Sequence, residues 1–462
     1  MTVADLAVHT TSIPGLLVID LPLHGDSRGW FKENWQRAKM VGLGLPDFGP
    51  VQNNMSYNAE AGVTRGLHAE PWDKLISLAQ GRILGAWVDL RPGVSFGATF
   101  TLEMGTDKAV FVPRGVANGY QALEADTTYS YLVNDHWSPA ARESYTYLNL
   151  ADETAAIAWP IPLSEAIVSD ADLAHPRLAD VTPMAPRRTV ITGATGQLGR
   201  ALQAVLPDAV ALGRDALDLT DAEAVRAYDF SGVGTIINAA AWTAVDAAET
   251  DEGRRDAWAG NVTAVANLVE AARAHRATLV HVSSDYVFDG TVTEHTEEEP
   301  FSPLGVYGVT KAAGDALVAT LPDHYVVRTS WVIGEGRNFV ATMAGLAAKG
   351  ATPSVVDDQF GRLTFTDTLA DAVVHLLATR PEAGTYNVTN DGPIRSWFEI
   401  ARQVFTLTGH DAAAVSPQTT EEFAAGKVVS PRPRHSALSL DKIKATGFTP
   451  RDADEALAAH LA

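Results

Sequence analysis

The sequence predicts two domains of different class in series: an all-β sandwich or barrel, then an α/β domain on a parallel sheet. Three observations carry this. Up to about residue 165 the chain shows short alternating runs such as KLISLAQGRILGAWVDL and TTYSYLVND, broken by Gly, Pro and Asp, the pattern of many short strands. A proline-rich stretch, HPRLADVTPMAPRR, follows, with prolines at 176, 183 and 186. Beyond it, apolar strands (TVITGA, GTIINAAA, ATLVHVSS) alternate with Ala-rich helical segments such as AVANLVEAARAH, the rhythm of a parallel sheet covered by helices. The expected domains are residues 1–183 and 187–462.

Composition agrees with that layout and removes several function classes. With 462 residues and 46% hydrophobic content, each part can bury a core. A formal charge of −21 argues against a polyanion-binding surface, so no nucleic-acid partner is expected. The absence of cysteine excludes disulfides, thiolate metal sites and a cysteine nucleophile. The start, MTVADLAVHTTSIPG, lacks a cationic segment followed by an apolar one, and no apolar run approaches a bilayer span. A cytoplasmic protein without membrane contact is the expectation, with neither repeats nor low-complexity segments.

In the first domain, VTRGLHAEPWDKLIS (63–77) places Arg65, His68 and Lys74 within ten positions of a strand-like stretch. A histidine alone in a β-barrel is more often a satisfied core residue; three such groups close together ask what chemistry would need them in one cavity. In the second domain, TVITGATGQLGRALQ sets Gly193, Gly196 and Gly199 after a predicted strand and at the opening of a helix. Small residues there let backbone and helix N-terminus approach a pyrophosphate. After the second strand stands ALGRDALDL, where Arg214 could meet a 2′-phosphate, which favours NADPH over NADH. YGVTK sets Tyr307 and Lys311 four apart, on one face of a helix, where an ammonium beside a phenol favours its deprotonated form. Upstream, HVSSDYVFDG offers the Ser283 and Ser284 hydroxyls at a strand end.

Residues from about 188 onward resemble the dTDP-4-dehydrorhamnose reductases, a branch of the extended short-chain dehydrogenases with a Rossmann fold. The matches are TGATGQLG, NAAAWTAVDAAE, SSDYVFDG, YGVTK, VRTSWV, DDQFGRLT and SPRPRHSAL, in family order. The resemblance implies a triad of Ser284 (Thr in most of the family), Tyr307 and Lys311, and a sugar pocket lined by Trp242, Asp246 and Trp331. It places the dinucleotide, NADPH with NADH possible, on Gly193, Thr195, Gly196, Gln197, Leu198 and Gly199. Arg214, Asp218, Leu219, Ala239, Ala240, Tyr307 and Lys311 complete that set.

The first domain, over roughly residues 12–180, resembles the dTDP-4-dehydrorhamnose 3,5-epimerases, a cupin-type jelly roll. DSRGWFKEN, VQNNMS, RGLHAEPWDKL, VPRGVANGYQAL, IAWP and VSDADLAHP carry the likeness. Metal-binding cupins need a second histidine two positions after the first; Ala69 and Glu70 follow His68, so the cavity is expected to work without metal. Epimerisation beside a ketone needs a base, a cation near the developing enolate and an acid on the opposite face. His68 fits the base and Lys74 the enolate partner. By resemblance Asp172 orients His68, Arg28 and Arg65 suit the diphosphate, and Phe31, Glu33, Gln52 and Asn54 hold the nucleotide, some across a homodimer boundary.

Two departures stand out. Asn118 replaces a family histidine, and in YLVNDHWSP, aligned from Tyr131, the family's catalytic tyrosine falls on Trp137. An indole N–H cannot serve as the acid. Either another group, a nearby tyrosine or a water, supplies the proton, or one epimerisation is lost. The expected function is a bifunctional enzyme that epimerises dTDP-4-dehydro-6-deoxy-D-glucose, a 4-keto-6-deoxyhexose, at C3 and C5, then reduces C4 to dTDP-L-rhamnose. The competing readings are a front domain that only binds, dimerises or epimerises one position, and a regulatory protein that binds nucleotide without turnover.

Overall fold

The computed structural model describes residues 5–462, and the chain divides between Pro186 and Arg187 into two compact units. The first four residues, on which the reading of the N-terminus partly rests, lie outside the described residues.

The front unit is a sandwich of two antiparallel sheets. Its strands are β1 (Ala7–Thr10), β2 (Leu17–Asp20), a hairpin of β3 (His24–Asp26) and β4 (Gly29–Phe31), β5 (Gln52–Asn58), β6 (Thr64–Ala69) and β7 (Lys74–Gln80). They continue with β8 (Ile83–Asp89), β9 (Thr99–Met104), β10 (Lys108–Val112), β11 (Val116–Ala122), β12 (Thr127–Val133) and β13 (Thr146–Tyr147). One sheet has the order β1-β2-β10-β7-β12-β5 and the other β13-β6-β11-β8-β9. Side chains from both fill the space between them: Val18, Ile76, Leu78 and Val110 from the first, Ile83, Trp87, Met104 and Val116 from the second. Each buried aliphatic side chain contributes roughly 1.5–3 kcal/mol of transfer free energy. Because β6 and β7 belong to different sheets, the corner at residues 70–73 sends His68 and Lys74 to opposite walls of the sandwich.

The back unit is a six-stranded parallel sheet. It contains β14 (Arg188–Thr192), β15 (Val210–Leu212), β16 (Val233–Asn238), β17 (Thr278–Ser284), β18 (His324–Thr329) and a last strand, Gly384–Asn387, in the order β15-β14-β16-β17-β18 followed by that strand. The chain reverses direction of winding at β14, so the crevice beyond the carboxyl ends of β14 and β16 is the ligand-binding position of an open parallel sheet. Gly193 turns there with φ +69°, and a Cβ on it would stand 2.5 Å from the Ala240 nitrogen. A Cβ on Gly199 would stand 2.2 Å from the Gly193 carbonyl oxygen, so only glycine lets the helix Gln197–Val205 pack this close.

Candidate active sites

In the front unit, Arg65, His68 and Lys74 meet in one cavity of about 410 Å³, together with Glu70, Asn118, Tyr131 and Asp172. Strict strand alternation would turn residues three apart to opposite faces. A bulge prevents this: β6 pairs His68 with Asn118 and Arg65 with Tyr120, three residues against two, and all four face the cavity. Asp172, in the short helix Asp170–Leu173, stands beside His68, its Oδ1 2.8 Å from His68 Nε2. That hydrogen bond, together with the charges of His68 and His175, holds the Asp172 carboxyl below its usual range against the opposing effect of burial. The pair is a carboxylate-oriented imidazole, an arrangement suited to proton transfer.

Lys74 is buried on the other wall. Its Nζ lies 2.6 Å from Glu70 Oε1 and donates to Asn118 Oδ1 at 2.7 Å. Burial pushes the ammonium below the usual lysine range, and the neighbouring Glu70 carboxylate opposes that shift without reversing it. Arg65 Nε donates to Asn58 Oδ1 at 3.2 Å.

Sequence reasoning missed three features of this cavity. His175 Nε2 lies 3.2 Å from the same Asp172 oxygen that holds His68, and its ring stacks on Tyr147 with centroids 4.5 Å apart. The candidate ligand atoms of His68, Asp172 and His175 lie within 4.8 Å of one another, a set that could hold a divalent cation although the two-residue histidine spacing is absent. Tyr131, Tyr145 and Tyr147 also line the cavity, and Lys74 Nζ sits 5.5 Å from the Tyr131 ring centroid. Burial and the Glu70 charge raise Tyr131 to about 12, so its phenol is protonated at neutral pH. Trp137 lies on the rim, half exposed, with the Arg142 guanidinium 6.0 Å from its ring.

The remaining front-unit residues do not enter the cavity lining. Arg28 is exposed on the β3–β4 hairpin and paired with Asp26 at 2.5 Å. Phe31 is 63% exposed, and Glu33 pairs with Lys39 at 2.6 Å. Gln52 and Asn54 hydrogen-bond each other at 2.7 Å on edge strand β5; the Gln52 side-chain oxygen accepts from the Trp137 backbone N–H and Asn54 hydrogen-bonds Tyr131. A single copy of the chain thus gathers the acid-base groups, whereas Arg28, Phe31 and Glu33 stand on its surface.

The back unit encloses a cavity of about 670 Å³ at the β14–β16 crevice, lined by Gly193, Thr195, Gly196, Arg214, Asp218, Leu219, Ala239, Ala240 and Trp242. Gly213, Thr220, Asp256 and Gly260 are among the further wall residues that were not anticipated. Arg214 is a largely exposed member of that lining, its guanidinium 3.4 Å from Asp218. Leu198 is buried in the sheet–helix core, Gly199 packs on the turn, and Gln197 donates to the Arg337 carbonyl at 3.5 Å rather than to the cavity.

Tyr307 and Lys311 share the first turns of the helix Val306–Val318, and Ser284 ends β17. Ser284 Oγ donates to Asp285 Oδ1 at 3.0 Å and hydrogen-bonds Tyr307. Ser283 is buried beside it. Lys311 Nζ donates to the Val282 carbonyl at 2.7 Å, and burial lowers it to about 8. The expectation that Lys311 favours a deprotonated Tyr307 is not met: burial, then the nearby Asp285, push the phenol well up, against the Ser284 hydrogen bond. Asn261, unforeseen because its helix lies elsewhere in the sequence, bonds both the Trp242 backbone and Thr310 Oγ1 (3.1 Å) and ties the Trp242 loop to the Tyr307 helix. Asp246 is held by Arg432 (2.9 Å) and by the Ser430 N–H (3.0 Å), and Trp331 stacks on Trp397 at 3.7 Å. Of the three expected sugar contacts, Asp246 and Trp331 are thus engaged within the protein, while Trp242 lines the cavity.

Two family models match the chain: RmlD substrate binding domain over residues 187–462, and dTDP-4-dehydrorhamnose 3,5-epimerase over residues 10–180. The front part is 51% identical over 180 residues to the RmlC homolog of Streptococcus pyogenes serotype M6, which covers 38% of this chain and 90% of that protein. The back part is 42% identical over 283 residues to the dTDP-4-dehydrorhamnose reductase of Streptomyces griseus, 58% of this chain and 91% of the relative. The crystal structure of dTDP-4-dehydrorhamnose reductase from Bacillus anthracis in complex with NADP is 33% identical, with a TM-score of 0.55 over 60% of this chain and 98% of that one.

Proposed function

A chain that belongs to the RmlD substrate binding domain family over residues 187–462 and to the dTDP-4-dehydrorhamnose 3,5-epimerase family over residues 10–180 has, we propose, two consecutive activities. The front unit epimerises dTDP-4-dehydro-6-deoxy-D-glucose at C3 and C5, and the back unit reduces the C4 ketone to give dTDP-L-rhamnose. The observation that carries the reading is the His68–Asp172 pair facing a buried Lys74 across one cavity.

At C3 or C5 the carbon–hydrogen bond breaks, its proton goes to His68 and the electron pair moves to the C4 oxygen, where the Lys74 ammonium stabilises it. With Nε2 engaged by Asp172, Nδ1 is the atom that takes the proton. Inversion needs a proton returned to the opposite face. Tyr131 supplies it, being a protonated phenol in the same cavity and close to Lys74. Trp137 has the position expected of the acid but not the chemistry, and serves as a rim contact beside Arg142. Arg65 offers a guanidinium fork for the diphosphate, and Asn118 holds Lys74.

In the back unit the glycine turn fits a dinucleotide pyrophosphate, because the space a Cβ would fill at Gly193 and Gly199 is closed by backbone. Arg214 in the cavity lining suits a 2′-phosphate, and the related Bacillus anthracis structure contains NADP. NADPH held on the glycine turn would supply the hydride that C4 receives. Tyr307 protonates the C4 oxygen as the ketone becomes an alcohol, Ser284 hydrogen-bonds that oxygen, and Lys311 brings positive charge beneath the phenol.

We assign the active front unit to a homodimer. Strand β5 is a sheet edge, and its Met55 and Tyr57 are exposed, as are Trp30 and Phe31 on the β3–β4 hairpin. A second copy would cover these and bring Arg28, Phe31 and Glu33 to a neighbouring cavity; light scattering on Met55→Glu tests this, with a monomer expected. Among the described residues no helix is long and apolar enough to cross a membrane. A sugar nucleotide and NADPH are both reagents of the cytoplasm, where we place the chain, and cell fractionation checks it.

The deciding experiment incubates the chain with the 4-keto substrate in D₂O, with and without NADPH, and reads products by NMR. Deuterium at C3 and C5 tests the front unit; the configuration at C4 tests the back. Absence of exchange would leave the front unit as a binding or dimerisation module.

A further inference from the structure

One carboxylate in the front cavity has no part in the chemistry above. Glu70 is 9% exposed, and both its oxygens are committed: Oε1 to Lys74 Nζ at 2.6 Å and Oε2 to the Trp72 indole N–H at 2.5 Å. A carboxylate so engaged is not placed to exchange protons with substrate. Its effect must run through Lys74.

Lys74 has three N–H bonds. One points to Glu70, and a second is directed to Asn118 Oδ1, whose own amide donates to the Tyr129 hydroxyl at 3.2 Å. The third is left for the cavity, on the side of Tyr131. We infer that Glu70 is the positioning residue of the epimerisation: it keeps the Lys74 ammonium charged and, with Asn118, turns its remaining N–H toward the carbonyl oxygen of the substrate. The role rests on the epimerase reading of the front unit. It explains how a lysine with only 5% of its side chain exposed can meet a developing enolate as a cation, since an unpaired buried ammonium gives up its proton instead.

Other charged groups around the cavity act differently. Tyr129, Tyr131, Tyr145 and Tyr147 all feel the Glu70 charge and are all raised, so none takes over as its counter-ion. Arg65 and Arg142 carry fixed charge, and His68, Asp172 and His175 stand on the opposite wall.

The test is the pH profile of deuterium exchange at C3 and C5 in the full chain, with reduction of separately epimerised substrate as the control for folding. Exchange needs the cationic Lys74, and Glu70 raises its affinity for the proton, so removing the Glu70 charge moves loss of activity to lower pH. Glu70→Gln, which retains an acceptor for Lys74, is expected to move the basic limb down by about one unit or more, with roughly ten-fold loss on the alkaline side and recovery toward acid. Glu70→Asp keeps the charge and should keep the limb within about half a unit despite a lower rate. Trp72→Phe, which spares the charge, should lower kcat without moving the limb, and remains informative if Glu70→Gln fails to fold. A Glu70→Gln limb that stays with the parent, at full or uniformly reduced rate, overturns the inference, as does a displaced limb in Trp72→Phe. If the parent chain does not exchange at all, the epimerase reading fails instead.

Discussion

Both units bury a lysine beside the groups expected to do the chemistry, Lys74 in the lining of the front cavity and Lys311 inside the helix–sheet packing under Tyr307, and they surround it differently. Lys74 has a carboxylate at 2.6 Å, and that neighbour opposes burial, which still lowers the ammonium. Lys311 has only a backbone carbonyl at 2.7 Å, while the closest acid along its helix, Asp315, is taken by Arg328 at 3.0 Å, and the ammonium falls to about 8. A counter-ion makes a lysine a standing cation, fit to hold an enolate. Without one, burial makes it a group that titrates near neutrality, fit to take part in a proton path through Tyr307. Residue type does not decide the role; the nearest carboxylate does.

The largest expected effects separate the two sites completely. His68→Asn should remove exchange at C3 and C5 by about 10² to 10⁴-fold while NADPH oxidation returns once an active epimerase is added. Tyr307→Phe should do the reverse, losing reduction by a similar factor of about 10² to 10⁴ while exchange continues. If either variant damages both reactions in assays supplied with the correct intermediate, the sites are not independent.

Tyr131→Phe sharpens the front half of the comparison. Deuterium should still enter from the His68 face, but inversion should fall by about 10²-fold, because the opposite-face proton is gone. Inversion at the parent rate would return the acid to another tyrosine or a water.

A pH series compares the two lysines directly. The depressed Lys311 loses its proton as pH rises through about 8, so reduction should decline above that pH. Exchange in the front unit should persist to higher pH if the Glu70 contact at 2.6 Å supports the Lys74 proton as inferred above. Coincident alkaline limbs would erase the distinction.

Zinc ion should inhibit only the front reaction, by occupying His68, Asp172 and His175, and a chelator should restore it. His175→Phe should reduce this sensitivity, as read by the zinc concentration for half inhibition. The smallest effect belongs to Arg214→Ala, where the KM for NADPH should rise by about two- to five-fold and that for NADH much less, in line with loss of one exposed phosphate contact. Equal changes would remove the 2′-phosphate role.

What the sequence determined by itself about this protein is what short-range periodicity can carry. The change from alternating runs to strand–helix repeats separates the sandwich from the parallel sheet. The glycine turn after β14 is legible because strand, turn and helix are contiguous, and Tyr307 and Lys311 are legible as a pair because four positions in a helix make one face. Tertiary structure decided the contacts that fix chemistry. Asp172 meets His68 across 104 positions, a pairing implied by family resemblance and not by any local pattern, and Arg432 meets Asp246 across 186. The bulge that turns Arg65 and His68 to one side depends on pairing with β11, and the single sequence of β6 predicts the opposite. Glu70 reads in the sequence as one more acid in a chain of net charge −21. Only folding removes it from water and places it against Lys74, and it is that loss of solvent, more than the identity of either residue, that gives the pair its strength.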